Sequence, residues 1–242
     1  MPDVLALVFA AVAVFLGSLV QGSMGVGLAL VAAPVVQVAD PGLMPGAVLL
    51  VAFVLSVLGA AREFGYADWH GVSWALAGRV AGTLAAACVI SVVSGSVLDL
   101  LTAGITLAIV AVMTLDPARV PMNRATLIAS GAAAGITGTT SSIGGPFLAL
   151  VYHREPGPTT RGTLSVFFAV GTLLSLGALA AAGRLPHGQL VAGTLLMPAM
   201  AAGFWLSGPL RRHVEGERMR KGVLLIAVAA AGVLITRSLI GA

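Results

Sequence analysis

Charge is scarce in this chain. Only 9% of its 242 residues are Asp, Glu, Lys or Arg, whereas about a quarter of the residues in an ordinary soluble domain are charged. Hydrophobic residues make up 58% of the sequence, and the mean hydropathy is +1.04. This composition excludes an ordinary soluble domain and indicates a membrane protein with several spans. Because the loops between the apolar runs are short, one integral membrane domain over residues 1–242 accounts for the chain.

Cysteine is almost absent, and acidic residues are few. Cys88 is the single cysteine, which excludes an intrachain disulfide and a cysteine metal cluster. The nine acidic residues and the four histidines lie in loops or near the ends of apolar runs. The sequence therefore offers no evident mid-membrane carboxylate as a proton relay or a sodium ligand. We expect no metal site and no cofactor.

Several functional motifs are missing as well. The sequence lacks the Gly-Lys-Ser/Thr ending of a phosphate-binding loop, which argues against ATP-driven transport by this chain. It has no serine, histidine and carboxylate set placed for membrane hydrolysis, so we do not expect an enzyme. The pI of about 10.2 comes from basic loops between spans, which positive-inside loops explain. A basic stripe with interleaved aromatics is absent, so we expect no nucleic-acid partner.

Two long apolar segments are interrupted by glycine and hydroxyl residues. QGSMG (21–25) interrupts the first segment, which runs to about residue 38 and is far longer than the roughly 20 residues of one span. GTTSSIGG (138–145) interrupts the second, and SIGGP (142–146) lies 119 residues after SMGVG (23–27). Each interrupted segment is either one broken helix or a hairpin. The other apolar runs lie near 43–61, 69–93, 97–115, 162–182, 187–209 and 221–240.

This layout predicts two repeats, residues 1–118 and 119–242, because each interrupted segment is followed by three full-length runs. If both interrupted segments are hairpins, ten basic residues share one side of the membrane and two lie on the other. The ten are Arg62, Arg119, Arg124, Arg154, Arg161, Arg211, Arg212, Arg218, Arg220 and Lys221, and the two are Arg184 and Arg237.

If each interrupted segment instead crosses the membrane once, the basic residues divide five to seven, which gives almost no positive-inside signal. We therefore predict an all-α polytopic membrane protein with two inverted-topology repeats. Each repeat consists of a broken, re-entrant segment plus three transmembrane helices. Both termini are predicted to lie outside the cytoplasm.

The two interruptions predict a binding site near the membrane midplane. Non-helical backbone at this depth is tolerated only where it is buried or lines a polar cavity, and half-helices starting there direct free N–H groups and positive dipole ends at a ligand. Such a site suits an anion. The alternative is that the small residues only allow close helix packing. The candidate ligands are Gln21, Gly22, Ser23 and Gly25 in the first half and Thr137, Thr139, Thr140, Ser141, Ser142, Gly144 and Gly145 in the second.

Arg79 is the one formal charge well inside an apolar run. A charge at such depth is costly and usually faces a partner or a water-filled cavity. We predict that Arg79 attracts the anion or steadies one repeat against the other. The alternatives are that the run begins later than residue 69 or that the side chain snorkels toward an interface.

The segments GSMGVGLALVAAP (22–34) and GTTSSIGGPFLAL (138–150) resemble the TauE/SafE family of membrane permeases, often described as sulfite exporters. The resemblance implies transport of a small sulfur-containing anion, such as sulfite, thiosulfate or an organic sulfonate, across a bacterial inner membrane. Carried over by position, it implies a site of Gln21, Ser23, Gly25 and Gly27 in the first half and Thr139, Ser141, Ser142, Gly144 and Gly145 in the second.

We predict an inner-membrane permease that exports such an anion, with the small anionic substrate and the lipid bilayer as its partners. Export needs no coupling ion, because an anion leaving a cell that is negative inside gains roughly 2.3 kcal/mol per charge per 100 mV. The alternatives are an uptake permease or channel for another small anion or carboxylate, a non-transporting membrane scaffold subunit and, last, an intramembrane enzyme. The sequence leaves open whether the chain forms a homo-oligomer.

Overall fold

The computed structural model describes residues 4–92 and 120–211, and every regular element within these two ranges is a helix. The predicted runs at 97–115 and 221–240 lie outside the described residues. The α-helices are α1 Val4–Met24, α2 Leu28–Ala39, α3 Gly46–Glu63, α4 Trp69–Val92, α5 Arg124–Ser141, α6 Pro146–Val151, α7 Gly157–Ala181, α8 His187–Leu195 and α9 Met197–Leu210, with short 3-10 turns at Pro41–Leu43 and Phe64–Tyr66.

Three helices of the described ranges are long and apolar enough to cross a membrane, namely α1, α7, and α3 with the 3-10 turn that follows it. Together α8 and α9 make a fourth span if the pair is counted as one, and they are bent by 43°. The sequence predicted an uninterrupted run at 187–209. The bend lies at Leu196, just before Pro198 in the first turn of α9, and proline supplies no amide hydrogen bond to the preceding turn.

The first interruption is a reversal of the chain. It begins after Met24, where Gly25 and Gly27 have φ angles of 87° and 148°, values that residues with a side chain rarely adopt. The chain then turns back, so that a Cβ added to Gly17 of α1 would lie 2.8 Å from the Leu28 carbonyl oxygen of α2. Of the two possibilities for this segment, the structure has the hairpin.

The second interruption has the same form. Ser142 follows the last residue of α5 and has a left-handed φ of 62°. The chain then returns along α5 as the six-residue helix α6. The observed breaks are therefore 25–27 and 142–145. Predicted positions 21–24 and 138–141 still belong to helices, because their backbone stays helical until the first left-handed residue.

Each interrupted helix packs on the opposite half of the chain. In the second half, α5 lies along α4 of the first half, and α1 of the first half lies along α9 of the second. Glycines allow the helix backbones to touch. A Cβ at Gly135 would lie 2.8 Å from the Thr83 amide nitrogen, and one at Gly203 would lie 3.0 Å from the Ser18 Cβ. Between these pairs, α3 packs against α7.

The buried apolar side chains form two main clusters, with the breaks between them. One cluster joins α1, α2, α3, α8 and α9, and the other joins α4, α5, α6 and α7. Val26 of the first break packs against both clusters, and Ile143 of the second break belongs to the first cluster. The polar backbone of the two breaks is thus enclosed by protein rather than exposed to lipid.

Candidate functional site

The two breaks face each other across one cavity. Gly145 is packed so closely against Val26 that it has no room for a side chain. The cavity has a volume of about 30 Å³ and is lined by both breaks and by residues of α1, α2, α3, α4 and α7. Its polar lining side chains are Gln21, Ser56, Arg79, Ser142 and Thr172.

Gln21 orders the wall of the cavity at the first break. Its side-chain oxygen accepts a hydrogen bond from the Leu28 amide at 3.1 Å, and its side-chain nitrogen donates a long hydrogen bond to the Ser56 hydroxyl at 3.4 Å. Leu28 is the first residue of α2, so Gln21 caps this helix. Ala29 and Leu30 of the same first turn line the cavity. Because first-turn amides have no intrahelical acceptor, the positive end of α2 is directed into the cavity.

Ser142 and Gly144 form the wall at the second break. The Ser142 hydroxyl donates to the Pro45 carbonyl at 3.2 Å, which ties this break to the start of α3. A Cβ at Gly144 would lie 2.6 Å from Arg79 Nη1 and 2.8 Å from the Ala134 carbonyl oxygen. The glycine is therefore required for contact between the break and the guanidinium. With only six residues, α6 adds little helix dipole.

Arg79 is the charge beside this cavity. Its side chain is only 1% exposed, so it does not snorkel to an interface. Nη1 donates to the Ala134 carbonyl at 2.8 Å, and Nη2 donates to the Gly171 carbonyl at 3.0 Å and to the Ser175 hydroxyl at 3.1 Å. Arg79 thereby joins α4 to α5 and α7.

The positive charge of Arg79 has no acidic partner within the described ranges. The ion pairs found there involve other arginines, and its Nε is buried without a hydrogen-bond partner. Of the five N–H donors of a guanidinium, three are used by neutral acceptors. A buried charge without a counter-ion is unfavourable, and an anion in the cavity would offset it.

The profile of the family described as "Sulfite exporter TauE/SafE" matches residues 9–234 of the chain. The chain belongs to this family. No curated protein and no solved structure gives a significant match. Membership confirms the resemblance seen in the glycine-rich segments, and it agrees with the apolar helices in indicating a transmembrane transport protein.

Within this TauE/SafE protein, six of the predicted site residues line the cavity. They are Gln21, Gly27, Arg79, Ser142, Gly144 and Gly145. In three others the hydroxyl forms a hydrogen bond within its own helix. Ser23, Thr137 and Thr140 donate to the carbonyls four residues earlier at 2.8, 2.9 and 2.9 Å.

The remaining predicted residues have different neighbours. The Gly22 carbonyl accepts a bond from Arg62 at 2.6 Å, and Gly25 packs against Arg161. The Thr139 hydroxyl lies 2.8 Å from the Ser175 hydroxyl, which in turn accepts a hydrogen bond from Arg79. Thr139 is therefore linked to Arg79 through Ser175. The side chain of Ser141 lies outside the described residues.

Sequence reasoning missed Ser56 and Thr172, which line the cavity of the TauE/SafE protein, and Ser175, which holds Arg79. A signal for two of them was present. Ser56 and Ser175 are separated by 119 residues, the same offset that relates the two breaks. Ser56 contacts Gln21 of α1, and Ser175 contacts Thr139 of α5. Each serine thus contacts the interrupted helix of its own half.

Proposed function

We propose that this TauE/SafE protein is an inner-membrane permease that exports a small sulfur-containing anion, such as sulfite, thiosulfate or an organic sulfonate. The anion passes through a midplane site formed by the cavity between the two breaks. The observation that carries the proposal is the position of Arg79. It is buried beside both breaks, without a carboxylate partner in the described part of the chain, and the positive end of α2 faces the same cavity.

Neutral donors complete the proposed site. Ser142, Thr172 and Gln21 add neutral polar groups to the lining without further positive charge. In this structure the Ser142 hydroxyl donates to the Pro45 carbonyl and the Thr172 hydroxyl to the Phe168 carbonyl at 2.6 Å, so each must rotate to donate to an oxyanion. One cation and several neutral groups hold an anion less tightly than a ring of arginines, which favours release on the other side. The polar lining of the cavity is neutral or cationic, and this agrees with export driven by the membrane potential.

The size of the cavity is that of a closed state. A volume of about 30 Å³ fits about two water molecules, since one water needs roughly 10–15 Å³ on this measure. An ion of the size of sulfite enters only when the breaks move apart. Alternating access by movement of one repeat against the other provides this widening.

We further propose the inverted-repeat threading, with repeats at 1–118 and 119–242 and both termini periplasmic. Its support comes from ion pairs between helix ends. Glu63 at the end of α3 pairs with Arg161 at 2.8 Å and with Arg211 at 2.9 Å. If each interrupted segment crossed once, Glu63 would lie on the side of the membrane opposite to both arginines. The reciprocal packing of the two interrupted helices agrees with a two-fold related pair of repeats.

Flux measurements on Arg79 variants test the proposed function. Purified protein in liposomes should move labelled sulfite in response to an imposed potential. We expect Arg79→Gln to lower this flux by tenfold or more, because the variant loses the buried positive charge that offsets the anion, worth roughly 1.4 kcal/mol per tenfold. The matched control is Arg124→Gln at the exposed start of α5, which should retain wild-type flux.

Two outcomes would contradict the proposal. Absence of flux for any small anion with the wild-type protein would favour the scaffold alternative. Wild-type flux in a folded Arg79→Gln variant, with folding checked by gel filtration and thermal unfolding, would remove Arg79 from the site.

A further inference from the structure

A second polar cavity lies next to the first and shares Gln21 with it. This cavity has a volume of about 10 Å³ and lies between the ends of α1 and α3 and the start of α7. Its polar lining side chains are Gln21, Arg62, Glu63, Arg161 and Ser165. Under the proposed threading it is on the cytoplasmic side, from which an exported anion must approach.

Positive charge is in excess around this cavity. The Arg161 Nε donates to both carboxylate oxygens of Glu63, at 2.9 and 3.0 Å. Arg211 donates to the same carboxylate at 2.9 Å. Two arginines therefore occupy the single carboxylate. Besides Arg161, Arg62 is the other arginine that lines the cavity, and it has no carboxylate partner in the described ranges.

Arg62 is held in place by neutral groups. Its Nη2 donates to the Gly22 carbonyl at 2.6 Å, and its Cζ lies 4.3 Å from the centre of the Phe204 ring. Its Nε is buried and has no hydrogen-bond partner among the described residues. A fixed guanidinium with an unused donor is suited to binding an oxyanion.

Ser165 supplies a second unused donor on the opposite wall. Its side chain is buried on α7, lines the cavity and makes no hydrogen bond within the described part of the chain. A Cβ at Gly59 would lie 2.6 Å from the Ser165 hydroxyl oxygen, so this glycine leaves the space that the hydroxyl occupies. Buried polar groups normally have a partner, and a ligand in the cavity would provide one.

We propose that Arg62 and Ser165 form a second anion subsite on the cytoplasmic side of Gln21, at which the exported oxyanion binds before it reaches Arg79. Arg161 and Arg211 neutralise Glu63 and so keep the net charge of the subsite positive. This inference rests on the proposed function, because the ligand is the same class of small oxyanion.

Gln21 is the partition between the two subsites. The second cavity fits about one water molecule, which is the space that one oxygen atom of an oxyanion occupies. A whole anion is accommodated when the Gln21 side chain turns away and the two cavities join. Turning the Gln21 side chain breaks its long 3.4 Å contact with Ser56 and also the 3.1 Å bond from the Leu28 amide, and the Leu28 N–H that is released can then donate to the anion.

The proposal is tested with Ser165→Ala in proteoliposomes that transport labelled sulfite. Since Ser165 has no partner to lose in the described ranges, the variant should fold as the wild type does. We expect the KM for sulfite offered at the Arg62 face to rise roughly tenfold, the loss of one hydrogen bond to a charged ligand. The maximal rate and the KM at the opposite face should stay near wild-type values. Ser130→Ala, a buried serine of α5 outside both cavities, is the matched control.

Arg62→Lys gives a second measurement, because it keeps the charge and removes the guanidinium donors. It should raise the same one-sided KM, and because the charge is unchanged the ratio of the variant KM to the wild-type KM should not depend on added salt. Suppose that the wild type transports sulfite and Arg79→Gln does not. Unchanged KM values at both faces in Ser165→Ala and Arg62→Lys would then overturn the second subsite and leave the proposed function intact. Equal KM changes at both faces would also overturn the second subsite. Absence of wild-type sulfite transport would instead contradict the proposed function.

Discussion

The glycines around Arg79 have a role that their type alone does not reveal. A Cβ at Gly138 would lie 2.7 Å from one guanidinium nitrogen, and a Cβ at Gly171 would lie 2.8 Å from another. With Gly144 they surround the guanidinium on three sides. Their function at this site is to leave space for a large buried cation between three helices, and any side chain there would push the arginine out of its hydrogen bonds.

Gly144→Ala tests this role. We expect the methyl group to displace Arg79 Nη1, to lower the free energy of unfolding by about 1–3 kcal/mol through overpacking, and to reduce sulfite flux. Thermal unfolding in detergent and flux in liposomes are the two measurements. Gly177→Ala in α7 is the matched control, because nothing lies within 4 Å of its added Cβ. Should both variants melt and transport alike, the arginine would not depend on the glycine.

The sequence identified part of this site because polar residues in an apolar run are conspicuous. Gln21, Arg79 and Ser142 were predicted for that reason, and they line the cavity. The hydroxyls of Thr137 and Thr140 were predicted by the same reasoning, but in the structure they bond to their own helix backbone. Composition cannot distinguish a hydroxyl that faces a cavity from one that bonds to the preceding turn.

At the scale of elements, helix ends were more predictable than helix directions. Gly25 and Ser142 end α1 and α5 within a few residues of the predicted interruptions. The 43° bend between α8 and α9 was not predicted, because a proline in an apolar run is compatible with either a kinked or a continued span. Which helix packs on which was also beyond the sequence, because small residues allow close approach without specifying the partner.

One side chain connects the start of α8 to the turn before α3. The Gln189 oxygen accepts from the Gly46 amide at 2.9 Å, and its nitrogen donates to the carbonyls of Gly42 and Met44 at 3.0 and 2.6 Å. All three partners belong to the first half of the chain. Gln189 therefore fastens the two halves together at the end of the bundle opposite to Glu63.

Gln189→Ala should weaken this connection. It leaves the buried Gly46 amide without its acceptor, and we expect a loss of about 1–3 kcal/mol in the free energy of unfolding. Thr194→Ala, at an exposed position of the same helix, should change stability by less than about 0.5 kcal/mol. The comparison is made by thermal unfolding of the purified variants. Equal melting of the two would show that the connection contributes nothing to stability.

At the scale of the whole molecule, accessibility measurements test the threading. A cysteine placed at Gly65, in the exposed turn after α3, should be shielded from a membrane-impermeant thiol reagent added to intact cells, because the proposed threading makes this turn cytoplasmic. A cysteine at Arg184, in the exposed turn after α7, should be labelled. Both are made in a Cys88→Ser background. The reverse pattern would overturn the proposed orientation, and labelling of both positions or of neither would overturn the threading itself.

The reciprocal packing of the interrupted helices also bears on how the chain is assembled. Although α1 is made first, its packing partner α9 begins only at Met197. During synthesis α1 is made long before α9, so the contact between these two helices forms only after most of the second half has been made. Within the described ranges each interrupted helix therefore reaches its packed state only when the other half of the chain is present.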